Sequence, residues 1–292
     1  MRNILVVLND RAGALLDRDP AEVRREVESA LRAAGRNIEV VLRRGQGIVR
    51  AVERGVAGGY DTVIVGGGDG SVSCAADRLA GKPVALGVLP LGTLNLLARD
   101  LRMPTELPEA LAALSAARRR AIDLASLNGR RFHSISGLGF FSQMARAREE
   151  ARNLPGRLLR LSAAALRAFS RTGNFTLEFD IDGRAWRMQA YAALVTCNRF
   201  GGNDWRRDAL DGGVLEIHIA EEEGALGRLK AGASMLAGGW RDSKGIHSFT
   251  AQRVRIGSVR GRSWVATDGE LRREQMPLDF AIEPRALTVL SP

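Results

Sequence analysis

Residues 63–71, VIVGGGDGS, join a short apolar run to a glycine-rich turn, and a helical pattern follows over residues 71–79. A buried strand, a tight turn and a helix make up the repeating unit of doubly wound α/β domains. Glycines allow the backbone to approach a polyphosphate closely, and the free N–H groups at the start of a helix attract its negative charge. The stretch therefore predicts an anion-binding turn at the carboxyl edge of a parallel sheet.

Two familiar phosphate-binding motifs do not fit this turn. A Walker loop needs a lysine, and the chain has no lysine before Lys82. The dinucleotide fingerprint needs a third glycine, which Ser71 and Ser73 do not supply. The structural alternative is a turn that only links strand to helix, and Asp69 favours it because a carboxylate repels phosphate unless a cation or hydrogen bonds hold it.

The surrounding sequence repeats the same alternation of strands and helices. Asp19 and Pro20 are typical of an N-cap and a first helical residue. Strands are predicted at 4–8, 38–42, 62–65 and 84–89, and helices at 20–34, 48–56 and 71–79. This order indicates a parallel sheet covered on both faces, so we assign residues 1–120 to an α/β ATP-binding domain. Residues from about 285 to 292 are assigned as a segment that can return to it.

The second half of the chain has the alternation of antiparallel strands. Asp182 and Gly183 form a hairpin-turn signal between two runs that alternate apolar and polar residues. Further strands are predicted at 214–220, 249–259 and 278–282. We assign residues 121–284 to a mainly β domain with one or two helices.

A second loop, LPLGTLNLLAR at residues 89–99, follows the neighbouring predicted strand. Gly92, Thr93 and Asn95 would lie at the same sheet edge as the first loop, with Arg99 about one turn further along. An ordinary N-cap at Thr93 explains one of these residues but not the pairing of two such loops. The two loops together predict a phosphate site.

The segments GGDGS at 67–71 and PLGTLN at 90–95 together resemble the catalytic domain of the diacylglycerol kinase and sphingosine kinase superfamily, especially its small bacterial lipid kinases. The resemblance implies an α/β nucleotide domain, an antiparallel β-sandwich domain for the lipid, and an active site in the cleft between them. It also implies that ATP and Mg²⁺ are the cofactors. The implied nucleotide-binding residues are Asn9, Gly66, Gly67, Gly68, Gly70, Ser71, Gly92, Thr93, Asn95 and Arg99.

The same resemblance gives a role to the acidic segment Asp268-Gly269-Glu270. Taken alone, Asp-Gly indicates a hairpin turn. In the family this segment supplies the candidate general base, so the resemblance implies Asp268 as base, with Glu270 and Asp69 as further catalytic carboxylates. Relatives commonly have two aspartates where this chain has Asp211 and Gly212, so Asp211 is the remaining candidate for a structural metal ligand.

Charge and composition bear on the partners. The net charge is +10, nearly all of the positive charge is arginine, and the two cysteines are far apart in sequence. We expect a cytoplasmic protein that associates peripherally with the inner face of the membrane and acts there on a lipid. Residues 157–171 predict a helix with an arginine stripe that would dock on anionic headgroups, although an ordinary solvated face fits equally. No nucleic-acid recognition motif is present, and a homodimer would be unsurprising.

The predicted function is an ATP-dependent lipid kinase that phosphorylates the hydroxyl of a diacylglycerol-like or sphingoid-like lipid. Two alternatives stay open. An NAD kinase-like enzyme would share the Gly-Gly-Asp-Gly loop, whereas a non-catalytic nucleotide- or lipid-binding protein of the same fold would account for Gly212.

Overall fold

The computed structural model describes residues 2–15, 18–32, 36–150, 167–168, 171–173, 175–202, 206–221, 245–258 and 261–292. The chain divides into two compact units. The first contains Met1–Leu124 and Pro284–Pro292, and the second contains Ala125–Glu283. The C-terminal residues thus belong to the same unit as the N-terminal ones.

The first unit is a parallel sheet with intervening helices, which confirms the predicted doubly wound α/β fold. Its elements are β1 Asn3–Asn9, α1 Pro20–Arg32, β2 Asn37–Arg43, α2 Gln46–Ala57, β3 Thr62–Gly67, α3 Asp69–Leu79, β4 Ala85–Pro90, α4 Leu96–Asp100 and α5 Leu107–Ala116. The strand order is β2-β1-β3-β4, and Val289 near the C-terminus pairs in parallel with Leu86 of β4. α1 packs on α5 and α2 packs on α3, as expected for two separate helix layers.

The order of these strands creates a switch point between β1 and β3. The connection through α1 leads from β1 to β2 on one side, and the connection through α2 leads back to β3 on the other. Ligands of such folds bind at the carboxyl edge of the strands where the order reverses. Asn9 ends β1 and Gly67 ends β3, so the predicted anion-binding turn lies at this switch point.

Local signals in the sequence explain the element bounds. The Asp19 Oδ1 atom accepts a hydrogen bond from the Ala21 N–H at 3.0 Å, so the predicted cap at the start of α1 is present. Every residue of β3 and β4 is buried, as is typical of parallel strands covered on both faces. α3 begins at Asp69, two residues earlier than predicted, so the aspartate belongs to its first turn.

The partly exposed Glu39 carboxylate on β2 makes a pH-dependent contribution to stability through its bonds to Tyr60 and Arg54. The Tyr60 hydroxyl donates to Glu39, and the Arg54 Nη2 atom donates to the Glu39 Oε1 atom at 2.6 Å. These hydrogen bonds, that of Tyr60 first, hold the pKa of the Glu39 carboxyl below its ordinary value. Because the folded pKa is the lower one, the stabilisation is present above the unfolded pKa of about 4.3 and is lost as the pH falls through the folded pKa.

We expect Tyr60→Phe to weaken this pH dependence. The variant should lose less stability than the parent protein between about pH 5 and pH 3, by under about 1 kcal/mol because the pair is partly exposed. Urea unfolding at several pH values measures the difference, and Glu39→Gln should flatten the profile further. Identical profiles for parent and Tyr60→Phe would contradict the assignment.

The second unit is mainly antiparallel, in agreement with the predicted β domain. Its elements are the end of β5 Arg118–Leu127, then β6 Arg130–Phe132, β7 Ile135–Gly139, α6 Phe140–Glu150, β8 Phe175–Ile181, β9 Arg184–Cys197, β10 Leu215–Glu221, β11 Ile246–Ala251, β12 Arg253–Ser258, β13 Arg262–Thr267, β14 Glu270–Gln275 and the start of β15 Leu278–Ser291. The strand order is β14-β13-β7-β9-β8-β12-β15, and β10 pairs with β9 and β11.

The long strand β9 organises this unit. Its first half pairs with β8, whereas its second half pairs with β7 on one side and β10 on the other. Alternate side chains of these strands and of β12 fill one apolar core, which includes Leu177, Phe179, Val195, Ile217 and Ile256. The core accounts for the period-2 pattern that the sequence shows in this half of the chain.

Two strand predictions in the second unit have clear outcomes. The predicted two-residue turn is present, with φ of 49° at Asp182 and 83° at Gly183. Positive φ at both residues is what a tight hairpin turn needs to match the twist of its strands. The single strand predicted at 249–259 is wrong, because the structure has β11 and β12 with Gln252 between them. The run of β-forming residues continues through both strands, so the sequence pattern does not mark the break.

In the part of the chain that the structure describes, no helix is long and apolar enough to cross a membrane.

Candidate active site

Asn9 and the two predicted glycine loops meet at the switch point of the first unit. The Asn9 Nδ2 atom, at the end of β1, donates to the Ser71 hydroxyl at 3.0 Å. The loop after β4 reaches the loop after β3, because the Leu91 N–H donates to the Gly67 carbonyl at 3.2 Å. The sequence placed these segments at one sheet edge, and the structure brings them into direct contact.

The glycines allow this close approach. A Cβ atom on Gly92 would lie 2.3 Å from the Gly68 Cα atom, so the two loop backbones are nearly in van der Waals contact. A Cβ atom on Gly67 would lie 2.8 Å from the Ser71 side chain, and one on Gly66 would lie 2.6 Å from Leu8. Gly66 and Gly67 are therefore needed for packing inside the sheet edge, whereas Gly68 and Gly70 lie in the partly exposed turn.

Asp69 joins the two loops through its carboxylate. The Oδ2 atom accepts a hydrogen bond from the Asn95 N–H at 3.0 Å, and the Oδ1 atom accepts one from the Leu96 N–H at 2.6 Å. Backbone donors thus hold the carboxylate that would otherwise repel a phosphate. Asp69 is therefore compatible with an anion site, because its carboxylate points to N–H groups of the second loop.

Asn95 shapes the second loop from within. It has a left-handed backbone with φ of 50°. Its Oδ1 atom accepts from the Gly92 N–H, and its Nδ2 atom donates to the Gly92 carbonyl, both at 2.9 Å. The N-cap of α4 is Asn95, so the alternative in which Thr93 caps the helix is wrong. Thr93 is exposed in the loop.

Arg99 lies in α4 and is exposed. Among the described residues its guanidinium makes no hydrogen bond or ion pair. In the first turn of α3 the Ser71 and Val72 N–H groups donate to the Gly68 carbonyl at 3.0 and 3.2 Å, whereas the Gly70 N–H has no acceptor among the described residues. The edge therefore offers backbone donors, the Ser71 and Thr93 hydroxyls and one unpaired arginine, which is a donor set suited to phosphate oxygens.

We expect Asp69→Ala to loosen the second loop. The substitution removes both acceptors for the Asn95 and Leu96 N–H groups, which corresponds to about 1–3 kcal/mol of unfolding free energy. Denaturant unfolding and hydrogen exchange at residues 92–97 measure the effect. Asp77→Ala, on the same helix, is the control, since the Asp77 carboxylate bonds its exposed neighbour Arg78. Equal exchange in both variants would contradict the role of Asp69.

In the second unit, the Asp268-Gly269 segment is a hairpin turn between β13 and β14. The φ angles are 46° and 85°, and Thr267 pairs with Glu270. The Asp268 side chain is buried, with 1% of its surface exposed. Its Oδ2 atom accepts from the His133 N–H at 2.9 Å, and its Oδ1 atom accepts from the N–H groups of Ser134 and Ile135 at 3.0 and 3.2 Å.

Asp268 therefore fixes the hairpin to the segment between β6 and β7. This structural use of the carboxylate was not foreseen in the sequence. Glu270, two residues on, is partly exposed and accepts from the Arg272 Nη2 atom at 2.9 Å. The role of Asp268 as general base stays a prediction, and the two acidic side chains have very different surroundings.

Two buried polar residues near Asp268 were missed by sequence reasoning. Arg207 is buried, and its Nη1 atom donates to the carbonyls of His133 and, at 2.9 Å, Cys197. The His133 ring is fully buried with its Nε2 atom 3.5 Å from the Asp268 Oδ2 atom. The buried Arg207 guanidinium supports this segment through its bonds to the two carbonyls, whereas neither ring nitrogen of His133 has a hydrogen-bond partner among the described residues.

The predicted metal ligand Asp211 is exposed in the loop before β10. Within the described ranges, no group of three His, Cys, Asp or Glu side chains stands close enough together to hold a metal ion. A Cβ atom on the neighbouring Gly212 would lie 3.0 Å from the Asn198 Oδ1 atom, so the Asn198 side chain would have to move by a few tenths of an ångström to admit an aspartate there. The described residues do not fit a protein-bound structural metal.

The sequence also matches known families along most of its length. Residues 3–127 match the diacylglycerol kinase catalytic domain. Residues 135–291 match the YegS C-terminal NAD kinase beta sandwich-like domain. The two matches correspond to the α/β unit and the mainly β unit.

Individual relatives agree with these matches. The chain is 32% identical over 286 residues to a Pseudomonas aeruginosa protein named "Probable lipid kinase YegS-like", covering 93% of this chain and 90% of that protein. It is 28% identical over 251 residues to a diacylglycerol kinase of Mycobacterium tuberculosis, covering 81% and 79%. The fold resembles the crystal structure of a diacylglycerol kinase of Bacillus anthracis with a TM-score of 0.72 and 18% identity, over 100% of this chain and 97% of that one. The chain belongs to the lipid kinase family that combines a diacylglycerol kinase catalytic domain with a YegS-type β-sandwich domain.

Proposed function

We propose that the protein transfers the γ-phosphoryl group of ATP, in the presence of Mg²⁺, to the hydroxyl of a diacylglycerol-like or sphingoid-like lipid. The observation that carries the proposal is the joining of the two glycine loops by Asp69 at the switch point. This link fixes the two loops relative to each other, which favours a preorganised phosphate site, because phosphoryl transfer depends mainly on positioning and charge stabilisation. The choice of a lipid as acceptor is supported by the similar proteins that are named lipid kinase or diacylglycerol kinase.

In the proposed reaction the lipid hydroxyl oxygen forms a bond to the γ-phosphorus and the bond to the β-bridging oxygen breaks, releasing ADP. The N–H groups of the glycine turn and the first turn of α3 would hold the phosphate oxygens, with the Ser71 and Thr93 hydroxyls beside them. Arg99 would approach the same oxygens from α4. Mg²⁺ bound with the nucleotide would neutralise the charge of the phosphates. The proton leaves the lipid hydroxyl, and Asp268 is the proposed acceptor.

The proposal also includes binding of the protein to the membrane surface, where its lipid substrate lies. The arginine stripe at 157–171 lies largely outside the described residues, which include only Arg167, Ala168 and Arg171 of it. Its docking role would be tested by binding to anionic vesicles, where Arg160→Glu with Arg167→Glu should weaken binding and lower activity on vesicles. Unchanged binding would remove the membrane role of the stripe.

The acceptor is tested with radiolabelled ATP and a panel of diacylglycerol, a sphingoid base, ceramide and NAD in mixed micelles. We expect label in diacylglycerol or the sphingoid base, and strong loss of it in Asp69→Ala. Label in NAD but in no lipid would favour the NAD kinase-like alternative. Nucleotide binding without any transfer would favour the non-catalytic alternative.

A further inference from the structure

The second unit contains a pocket of about 310 Å³ that the proposed reaction does not use. Arg171, Arg262 and Arg273 line it together with Trp264. Within the described part of the chain, no aspartate or glutamate belongs to the lining. We call this cavity the arginine pocket.

The three arginines of the pocket have N–H groups that are not used by other described residues and can bind a ligand. The Arg262 Nε atom donates at 3.2 Å to the Gln275 side chain, which is neutral. Among the described residues the Arg273 side chain makes no hydrogen bond or ion pair. Arg171 pairs through Nη1 with Glu150, which is not part of the lining. Since each guanidinium has five N–H donors, the pocket holds excess positive charge and unused donors.

The β13–β14 hairpin sets the spacing of these groups. Trp264 lies directly opposite Arg273 in the register, and Arg262 lies two residues before Trp264 on the same strand face. The Trp264 residue is 39% exposed, although large aromatic residues are usually covered. Gln143 and Ser263 add neutral polar groups to the wall. The pocket therefore offers charged donors beside an aromatic surface.

We propose that the arginine pocket binds the phosphate group of a phosphate ester, with the organic part of the ester against Trp264. Planar guanidinium groups match the oxygens of a phosphate better than any other side chain does. The size of the pocket suits one phosphate with a glycerol-sized group attached. The proposal goes beyond the kinase reaction, because it concerns only second-unit residues and makes no use of the glycine loops.

The test measures binding directly, without turnover. Titrations of the full chain with inorganic phosphate and with dihexanoyl phosphatidate below its micelle concentration are followed by calorimetry and tryptophan fluorescence. We expect saturable binding that weakens with salt and falls roughly 30-fold in the Arg262→Gln/Arg273→Gln double variant, with about 3- to 10-fold for each single change. Arg253→Gln, an exposed arginine on β12 that does not line the pocket, should bind as the parent does.

The comparison between parent and double variant isolates the pocket, whatever the glycine loops bind. Tighter binding of phosphatidate than of phosphate supports a phosphate ester whose organic part lies against Trp264, whereas equal binding would contradict the role of Trp264 and reduce the pocket to a site for free phosphate. Equal titrations of parent, double variant and Arg253→Gln would overturn the proposal, as would no saturable binding in the parent. The single variants repeat the test if the double variant is not folded by circular dichroism. A failed lipid kinase assay leaves these binding results intact, so the two proposals fail separately.

Discussion

Gly92→Ala should reduce ATP-dependent phosphorylation at least about 100-fold, equivalent to about 2.7 kcal/mol of transition-state stabilisation. The added Cβ atom would lie 2.3 Å from the Gly68 Cα atom, 2.9 Å from the Asn95 Oδ1 atom and 3.1 Å from the Gly68 N atom. Two of these three neighbours are backbone atoms, which no rotamer change can move. The second loop must therefore shift away from the first, and the donors at the edge lose their common arrangement.

The measurement is turnover together with titration of a fluorescent ATP analogue. We expect the affinity for the analogue to fall along with turnover, while the circular dichroism spectrum stays that of the parent. Gly261→Ala is the matched control, because a Cβ atom there meets nothing within 4 Å and its φ angle does not favour glycine. Its activity should match the parent. A Gly92→Ala enzyme within twofold of the parent would show that phosphate does not bind between these loops.

For the two glycine loops, the sequence predicts their position but not the role of Asp69. Parallel strands put their carboxyl ends at one edge, so the alternation of strands and helices was enough to predict that the two loops lie at the same edge. The close approach of Gly68 and Gly92 is seen only in the structure. The use of Asp69 was not predictable, since its charge alone argued against phosphate. Only the positions of the Asn95 and Leu96 N–H groups show that the carboxylate has donors.

The second unit was harder to predict for a physical reason. Its hairpins are local, so the turn at Asp182 could be predicted from two residues. The support of Asp268 comes instead from His133 and from Arg207, which are more than 50 residues away along the chain. Nothing in the local sequence of either residue marks it as buried. Such long-range polar contacts are set by the packing of β6, β7 and β13, which a periodicity argument does not reach.

Asp268→Asn should reduce both stability and turnover. The loss of stability tests the support of the hairpin, and the loss of turnover tests the role as general base. An asparagine retains one oxygen but turns an NH₂ group toward at least one of the three backbone N–H donors that the carboxylate now satisfies. Loss of the charge-assisted bonds and the donor–donor contact should cost about 2–4 kcal/mol of unfolding free energy. Denaturant unfolding measures this loss, and Glu270→Gln is the control, because Glu270 is partly exposed and should lose under about 1 kcal/mol.

The loss of turnover decides whether Asp268 also accepts the proton of the lipid hydroxyl. The rate must be expressed per folded molecule, at a temperature where the variant is fully folded. A base contributes about 10²–10⁴-fold, so kcat should fall by that factor at saturating ATP and lipid, with the KM for ATP little changed. If kcat per folded molecule stays within threefold of the parent, Asp268 is only the support of the hairpin, and the proton must go elsewhere. A fall in stability is expected under both roles, so only kcat separates them.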